Sequence, residues 1–282
     1  MEPRDLIGLQ IRDLWGRGRT ELVRTLYAPD VTDHMPIPGQ PGGLDALAAV
    51  VETFRAAIPD MAIEVHAILQ QGDMAADIWT LTGTHLGPLG PLPPSGRPLR
   101  FSGIDMVRVR DRRIADIWHV EDLNRMTAQM GGVASVPAVT VAGGMVRPVP
   151  PPPGRAEAAR LFAAAFGDPD GLDALAGLLA ADVEDHTPFE GQAEGAAGLL
   201  ARAASLAVLH PDRRPAVERV LVEGDWAAVR WSLAGPGAAL NGMHGLRFAG
   251  DGRIDRVWTC LETPPATTAL PAAPPDGPYQ QE

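Results

Sequence analysis

The chain repeats itself. Asp30-Val31-x-Asp33-His34-x-Pro36 returns as Asp182-Val183-x-Asp185-His186-x-Pro188, and Gly39-Gln40, Pro59-Asp60, Gly72-Asp73 and Trp79 return as Gly191-Gln192, Pro211-Asp212, Gly224-Asp225 and Trp231, all at one interval of 152 positions. Five matches at one interval mean two copies of one structural unit, each long enough to fold as a domain. Beyond the tryptophan the interval drops to 140, with Arg113-Ile114 and Trp118 returning as Arg253-Ile254 and Trp258. The piece missing from the second copy is the Gly/Pro-rich excursion around Gly87–Pro98.

Within the first copy, the apolar spacing predicts helices over Asp5–Tyr27, broken at Gly16 and Gly18, and over Leu44–Ile58, where Pro59 stops the second. YAPDVTD reads as a short extended segment between them. From Met61 the pattern turns to strands over Met61–Leu69, Met74–Thr84, Leu99–Arg110 and Arg112–Glu121, and Leu123–Met130 closes as a short helix. The fold class that follows is α+β: two tandem cone-shaped domains, each with N-terminal helices packed on a curved antiparallel β-sheet. The expected boundaries are 1–131 for the first domain, 132–153 for a Pro/Gly-rich linker, 154–263 for the second domain and 264–282 for a flexible tail.

Composition removes several function classes. The formal charge is −11 and both copies are acidic, which argues against nucleic acid, whose affinity comes from basic side chains neutralising phosphates. All 24 basic residues are arginine, so Schiff-base and lysine-nucleophile chemistry have no residue to use. The single cysteine, Cys260, excludes an internal disulfide and a cysteine-rich zinc site. No apolar run approaches the roughly 20 residues of a membrane span, and MEPRDLIGLQIRDLW is no signal peptide, so the expectation is a cytoplasmic protein without a membrane partner. The Arg/Ala/Gly/Pro bias fits a bacterial, GC-rich genome. HExxH, GxSxG and a phosphate-cradling glycine loop are all missing, so neither metal nor cofactor is expected.

The candidate site comes from ionisable residues inside apolar strands. Side chains two apart share a face, which groups Trp79, Leu81 and His85, then Asp105 with Val107 and Val109, then Ile117 with His119. A carboxyl among apolar walls has a raised pKa, which suits a general base for an activated carbon acid. His85, at a strand end, could act as an oxyanion donor, with His119 beside it. The alternatives are a structural Asp105 paired with arginine, a solvated His85 and a His119 satisfied by a neighbouring carboxylate. Asp33-His34 and Asp185-His186, being repeated, read first as side-chain-held corners, with His34 also a candidate for the pocket wall.

Helices, DVxDHxP, a Pro-Asp before the first long strand, GTHxG…PPSGR, GIDMVRVRD and IADIWHVED together resemble the SnoaL-like polyketide cyclases of the nuclear transport factor 2-like superfamily. The resemblance covers nearly all of Leu6–Gly131 and, more loosely, Ala156–Glu262. It implies a cofactor-free, metal-free closure of a polyketide ring by intramolecular aldol condensation, in secondary metabolism of the antibiotic kind. By motif position it implies Asp105 as acid/base and His85 as its assistant. The expected site is then Asp105, His85, His119 and His34 for catalysis, with Trp79, Phe54, Val107, Trp231 and His244 against a small hydrophobic, polyketide-like substrate. The second copy departs from the pattern, with His244 for Asp105, Gly237 for His85 and Thr259 for His119, which puts its catalytic competence in doubt. Two other readings stay open. One is an epoxide-opening hydrolase or cyclase using Asp33 with Asp60 or Glu64, mirrored by Asp185 with Asp212 or Glu218. The other is a non-catalytic binder of hydrophobic ligands, the two copies forming an intramolecular pseudo-dimer or a homo-oligomer.

Overall fold

Strands with no polar face need cover on both sides, and β3 is such a strand: Met74–Leu81 is buried without interruption. The computed structural model, which describes residues 1–36, 42–132, 154–189, 191–237 and 239–262, supplies that cover twice over. Nearly all of the 132–153 linker, the whole 264–282 tail and the Gly39-Gln40 member of the repeat lie outside the described residues.

The first copy runs α1 (Pro3–Leu9), a π-helical segment (Gln10–Trp15), a 3₁₀ turn (Thr20–Leu22) and α2 (Val23–Leu26). It continues with β1 (Tyr27–Asp33), α3 (Leu44–Ala57), β2 (Ala62–Gln71), β3 (Met74–Thr84), β4 (Pro98–Arg110), β5 (Arg113–Glu121) and α4 (Leu123–Met130). The second runs α5 (Arg155–Ala165), α6 (Leu172–Leu178), β6 (Leu179–Asp185), α7 (Gly195–Leu209), β7 (Arg214–Glu223), β8 (Trp226–Ala234), β9 (Leu240–Phe248) and β10 (Ile254–Leu261). The sheet orders are the same, β1-β5-β4-β3-β2 and β6-β10-β9-β8-β7. Four strands of each sheet are antiparallel, as the alternation predicts. The fifth corrects the wholly antiparallel expectation: the segment read only as extended, β1, pairs parallel to β5, and β6 likewise to β10, so both sheets are mixed.

Each sheet buries its inner face under its own helices. On β3 these are the odd-numbered residues, Ala75, Asp77, Trp79 and Leu81, and Trp79 packs flat over Gly103 of β4. The same clearance recurs at Gly242 beneath Trp231. The outer faces of the two sheets pack on each other, Ile78, Ile104, Met106 and Val120 meeting Ala228, Met243, Trp258 and Cys260 in one buried cluster. This is the intramolecular pseudo-dimer, built from even-numbered positions of β3 and β4.

The repeated Asp-His motif serves that interface. Asp33 Oδ1 accepts the Met35 N–H at 2.9 Å and Asp185 Oδ1 the Thr187 N–H at 2.9 Å, two Asx turns of one kind. The histidine that each turn presents stacks on the tryptophan of the last strand, His34 on Trp118 with centroids 4.5 Å apart and His186 on Trp258 at 4.1 Å. Each tryptophan is also covered by the other domain, Trp118 by the Arg230 guanidinium and Trp258 by His66.

The sheets approach closely at Gly245, where a Cβ would lie 2.7 Å from Ile78 Cδ1. Gly245→Ala should therefore separate the sheets locally and lower the unfolding free energy by about 1–3 kcal/mol, read from the urea midpoint.

Candidate active site

Asp105 of β4 has two inward-facing register neighbours, Asp77 on β3 and His119 on β5. The three make one row across the inner face, where an antiparallel pairing holds opposed Cβ atoms roughly 5 Å apart. Above the row opens a cavity whose empty space, with the open solvent at its mouth included, is about 730 Å³. Its polar lining is Gln10, Tyr27, Asp33, Asp105, His119 and Glu121, and its apolar walls combine the aromatic side chains of Trp15, Phe54, Trp79 and Phe101 with a larger number of aliphatic ones, Val50, Ile63 and Leu81 among them. Gln10, Ile11 and Trp15 reach it from the π-helical segment, whose i→i+5 hydrogen bonding widens the turn.

The electrostatics of the row are set by burial. Burial and the Glu121 charge push the Asp105 carboxyl up to about 7, against the pull of the His119 charge and of hydrogen-bond donors. One donor is Gln10 Nε2, 3.0 Å from Asp105 Oδ2. The Trp79 indole N–H acts in the same direction, though it completes no hydrogen bond of proper geometry. Burial alone would lower the His119 imidazole, but Glu121 and Asp33 reverse this and hold it well above its ordinary value. Its Nδ1 lies 2.9 Å from Glu121 Oε1 and its Nε2 3.3 Å from Asp33 Oδ2. Both ring nitrogens are thus committed as donors, and the alternative of a carboxylate-satisfied His119 describes this geometry. Three buried polar atoms of the lining have no partner: Gln10 Oε1, Tyr27 Oη and Trp79 Nε1. Among the described residues no group of His, Cys, Asp and Glu has the arrangement to hold a metal, and no helix is long and apolar enough to cross a membrane.

Of the residues expected at the site, Asp105, His119, Trp79 and Phe54 come together in this cavity, joined by Asp33 of the epoxide-opening alternative. The others do not. His85 is fully buried beyond the end of β3, with Nδ1 3.0 Å from Ser95 Oγ and its N–H on the Arg97 carbonyl, so it fastens the Gly87–Pro98 excursion. That excursion packs Leu89 and Leu92 onto the cavity walls from behind and lends no side chain to the lining. His34 faces Asp116 at 2.8 Å on the interface side of the sheet. Val107 has the expected parity but lies beneath α1 and α3 with Leu6, Ile7 and Val51. Trp231 and His244 belong to the packed interior of the second domain. Asp60 caps the Thr84 N–H at 2.7 Å and Glu64 is exposed, so neither stands opposite Asp33 across the cavity, as an epoxide-opening pair would require. Sequence reasoning passed over Gln10, Tyr27, Glu121 and Asp77, although Asp77 shares its face with Trp79.

The profile of the SnoaL-like polyketide cyclase family matches residues 6–130, and that of the SnoaL-like domain matches residues 158–257. The chain belongs to the SnoaL-like family, in two tandem copies. Solved structures similar to it include IdmH from Streptomyces antibioticus, a candidate polyketide cyclase, at 32% identity over 46% of this chain and 99% of that one, with a TM-score of 0.41. A second is a candidate polyketide cyclase from Bacillus cereus ATCC 10987, at 28% identity over 43% of this chain and 75% of that one, TM-score 0.38. TsrD from Streptomyces laurentii is 22% identical over 45% of this chain and 93% of that one, TM-score 0.42. No curated protein matches the chain.

The second SnoaL-like copy has lost the row. Val229, His244 and Thr259 are register partners where Asp77, Asp105 and His119 stand in the first. His244 Nδ1 lies 3.0 Å from Thr259 Oγ1, and the ring is stacked on Trp231 and flanked by Phe162, which stands 152 positions after Gln10. Burial, with Arg202 nearby, holds the His244 imidazole well below its usual value. Arg202 stands 152 positions after the cavity residue Val50 and reaches Asp185 Oδ2 at 3.2 Å and the Thr187 carbonyl at 2.7 Å. Its side chain is 2% exposed and that of Asp185 5%. Arg202→Met would leave the Asp185 carboxylate buried without its counter-charge, and denaturant titration should register a loss of roughly 3–5 kcal/mol.

Proposed function

We propose that the first domain closes a ring of a polyketide-like substrate by intramolecular aldol condensation, without a cofactor, and that Asp105 is its acid/base. The observation that carries this reading is a single carboxyl of near-neutral proton affinity, about 7, in a cavity whose walls are apolar and in part aromatic. Membership of the SnoaL-like family supports the reaction class.

The Asp105 carboxylate takes the proton from a carbon between two carbonyls. The resulting enolate carbon forms a bond to a carbonyl carbon of the same molecule, and that carbonyl oxygen becomes an alkoxide. Asp105 then returns its proton to the alkoxide, so the product is an isomer of the substrate and nothing leaves. The developing oxyanion needs donors that are not already used. His119 has none to spare, and His85 is outside the cavity; the free buried donors are the Trp79 indole N–H and the Tyr27 hydroxyl. His119, held cationic, keeps Asp105 ionisable at neutral pH despite its burial. The second domain, its cavity site filled by Arg202 and aromatic rings, acts as the partner that covers the outer face of the first sheet.

With a keto-ester test substrate, turnover should rise with pH through about 7 as Asp105 ionises. Asp105→Asn should lower kcat roughly 10²–10⁴-fold and remove that limb, while the protein still folds. Full turnover in a folded Asp105→Asn protein would sink the assignment. Epoxide opening that survives the change would move the chemistry elsewhere.

A further inference from the structure

Asp77 is the least explained group in the molecule. It is fully buried, it faces the helices between Ala75 and Trp79, and neither carboxyl oxygen completes a hydrogen bond of proper geometry, although the backbone N–H groups of Asp105 and of Asp77 itself act to lower its proton affinity. An isolated carboxylate cannot be kept in such a place, because burial costs the ion far more than the neutral acid. The titratable and charged groups that act on it from the surrounding elements are Asp105 on β4, Tyr27 on β1 and Arg12 on the π-helical segment, and Arg12 is itself exposed. Its register neighbour on β2, Ile68, is apolar, as is the residue at its position in the second copy, Val229. The position therefore tolerates an apolar side chain in this fold, and the acid appears in the copy that also carries Asp105.

We propose that Asp77 and Asp105 are a carboxyl pair holding one proton in the resting enzyme, with Asp77 retaining it while Asp105 exchanges the proton of the reaction. Two opposed carboxyls in one buried row cannot both ionise cheaply, so the first to lose its proton obliges the other to keep its own. Asp105 has Gln10 as a donor and the His119 cation beside it, whereas Asp77 has neither, so Asp105 is the member that ionises. Burial first, and the Asp105 charge second, push the Asp77 carboxyl well above the usual carboxylate range. Asp77 is in this sense a positioning residue: its neutrality spares Asp105 a second adjacent negative charge, and its hydroxyl leaves a donor next to the base. The inference rests on reading Asp105 as the base, but the state of its proton can be measured without any substrate.

The test is a pH titration of the full chain labelled with ¹³C at the aspartate side-chain carboxyl, for wild type, Asp77→Asn and Asp105→Asn. In wild type, the signal absent from Asp77→Asn should still be that of a protonated acid at neutral pH, and the signal absent from Asp105→Asn should titrate near 7. In Asp105→Asn the Asp77 midpoint should fall by about one pH unit or more, the mark of a coupled pair. An Asp77 carboxyl ionised at neutral pH, or a midpoint unmoved by Asp105→Asn, would overturn the proposal. If Asp77→Asn does not fold, the Asp105→Asn titration decides alone, through the midpoint of the raised acid that remains. Thermal melting gives a second reading. The folded chain holds a proton that the unfolded chain releases above about pH 4, so wild type loses stability as pH rises. The melting temperature of Asp77→Asn should therefore exceed that of wild type by a margin that widens from pH 5 to pH 8, and a constant margin would count against the pair. Turnover kept in Asp105→Asn sinks the base and leaves the pair standing; an ionised Asp77 does the reverse.

Discussion

The contact between the two outer sheet faces is what the rest of the molecule depends on. An open sheet covered by helices on one side would leave Ile78, Ile104, Met106 and Val120 in water. Here they meet Ala228, Met243 and Trp258 across a glycine, and the central parts of β3 and β4 are buried on both faces. Strands buried on both faces hold what stands on the inner face away from bulk water, where charges interact more strongly. The row of Asp77, Asp105 and His119 owes its electrostatics to burial on that inner face and to the charges that stand beside it there.

Charge inside the first domain is arranged by compensation and not by dilution. His119 is paired through both nitrogens, Asp33 and Glu121 thereby lose their isolation, and Asp105 is left with one donated hydrogen bond and a cation at its side. In the second domain the same places are filled by Thr259, Leu261 and His244, and a buried cation, Arg202, is tied to an aspartate and two backbone carbonyls. The first copy keeps Gln10 Oε1, Tyr27 Oη and Trp79 Nε1 without partners around an empty space, whereas in the second the space itself is filled, although Trp231 Nε1, His244 Nε2 and Arg202 Nε there also lack partners. That contrast separates a cavity kept for a ligand from a core.

Much of this was legible in the sequence, and for physical reasons. Long apolar helices and strands with period-two alternation announce themselves, so α3, β2, β3, β4, β5 and α4 fall within a few residues of their predicted spans. Parity grouped Trp79 with Leu81, Asp105 with Val107 and Ile117 with His119, strand by strand, and the strand register turns these three groups to the same inner face. Parity could not say where along that face the cavity ends, and Val107, on the right face, is sealed beneath helices. The parallel pairing of β1 was hidden because a seven-residue segment carries no signature of its neighbour. His85 misled because its place after Gly83-Thr84 says nothing of Ser95, which fastens it ten residues on. Asp77 was overlooked because one acid in an apolar run reads as an exception, whereas opposite Asp105 it reads as half of a pair.

The covalent joining of the two copies has a consequence for how such a site can change. Two identical chains meeting in a symmetric contact must carry every substitution twice, so a change that suits one cavity is imposed on both. A chain that is its own partner escapes this. Phe162 and Arg202 could fill one interior, and Gln10 and Asp77 could be admitted to the other, with the shared contact unaltered. One half of the molecule can then be selected for rigidity and the other for reactivity, a division of labour that an assembly of equal chains is denied.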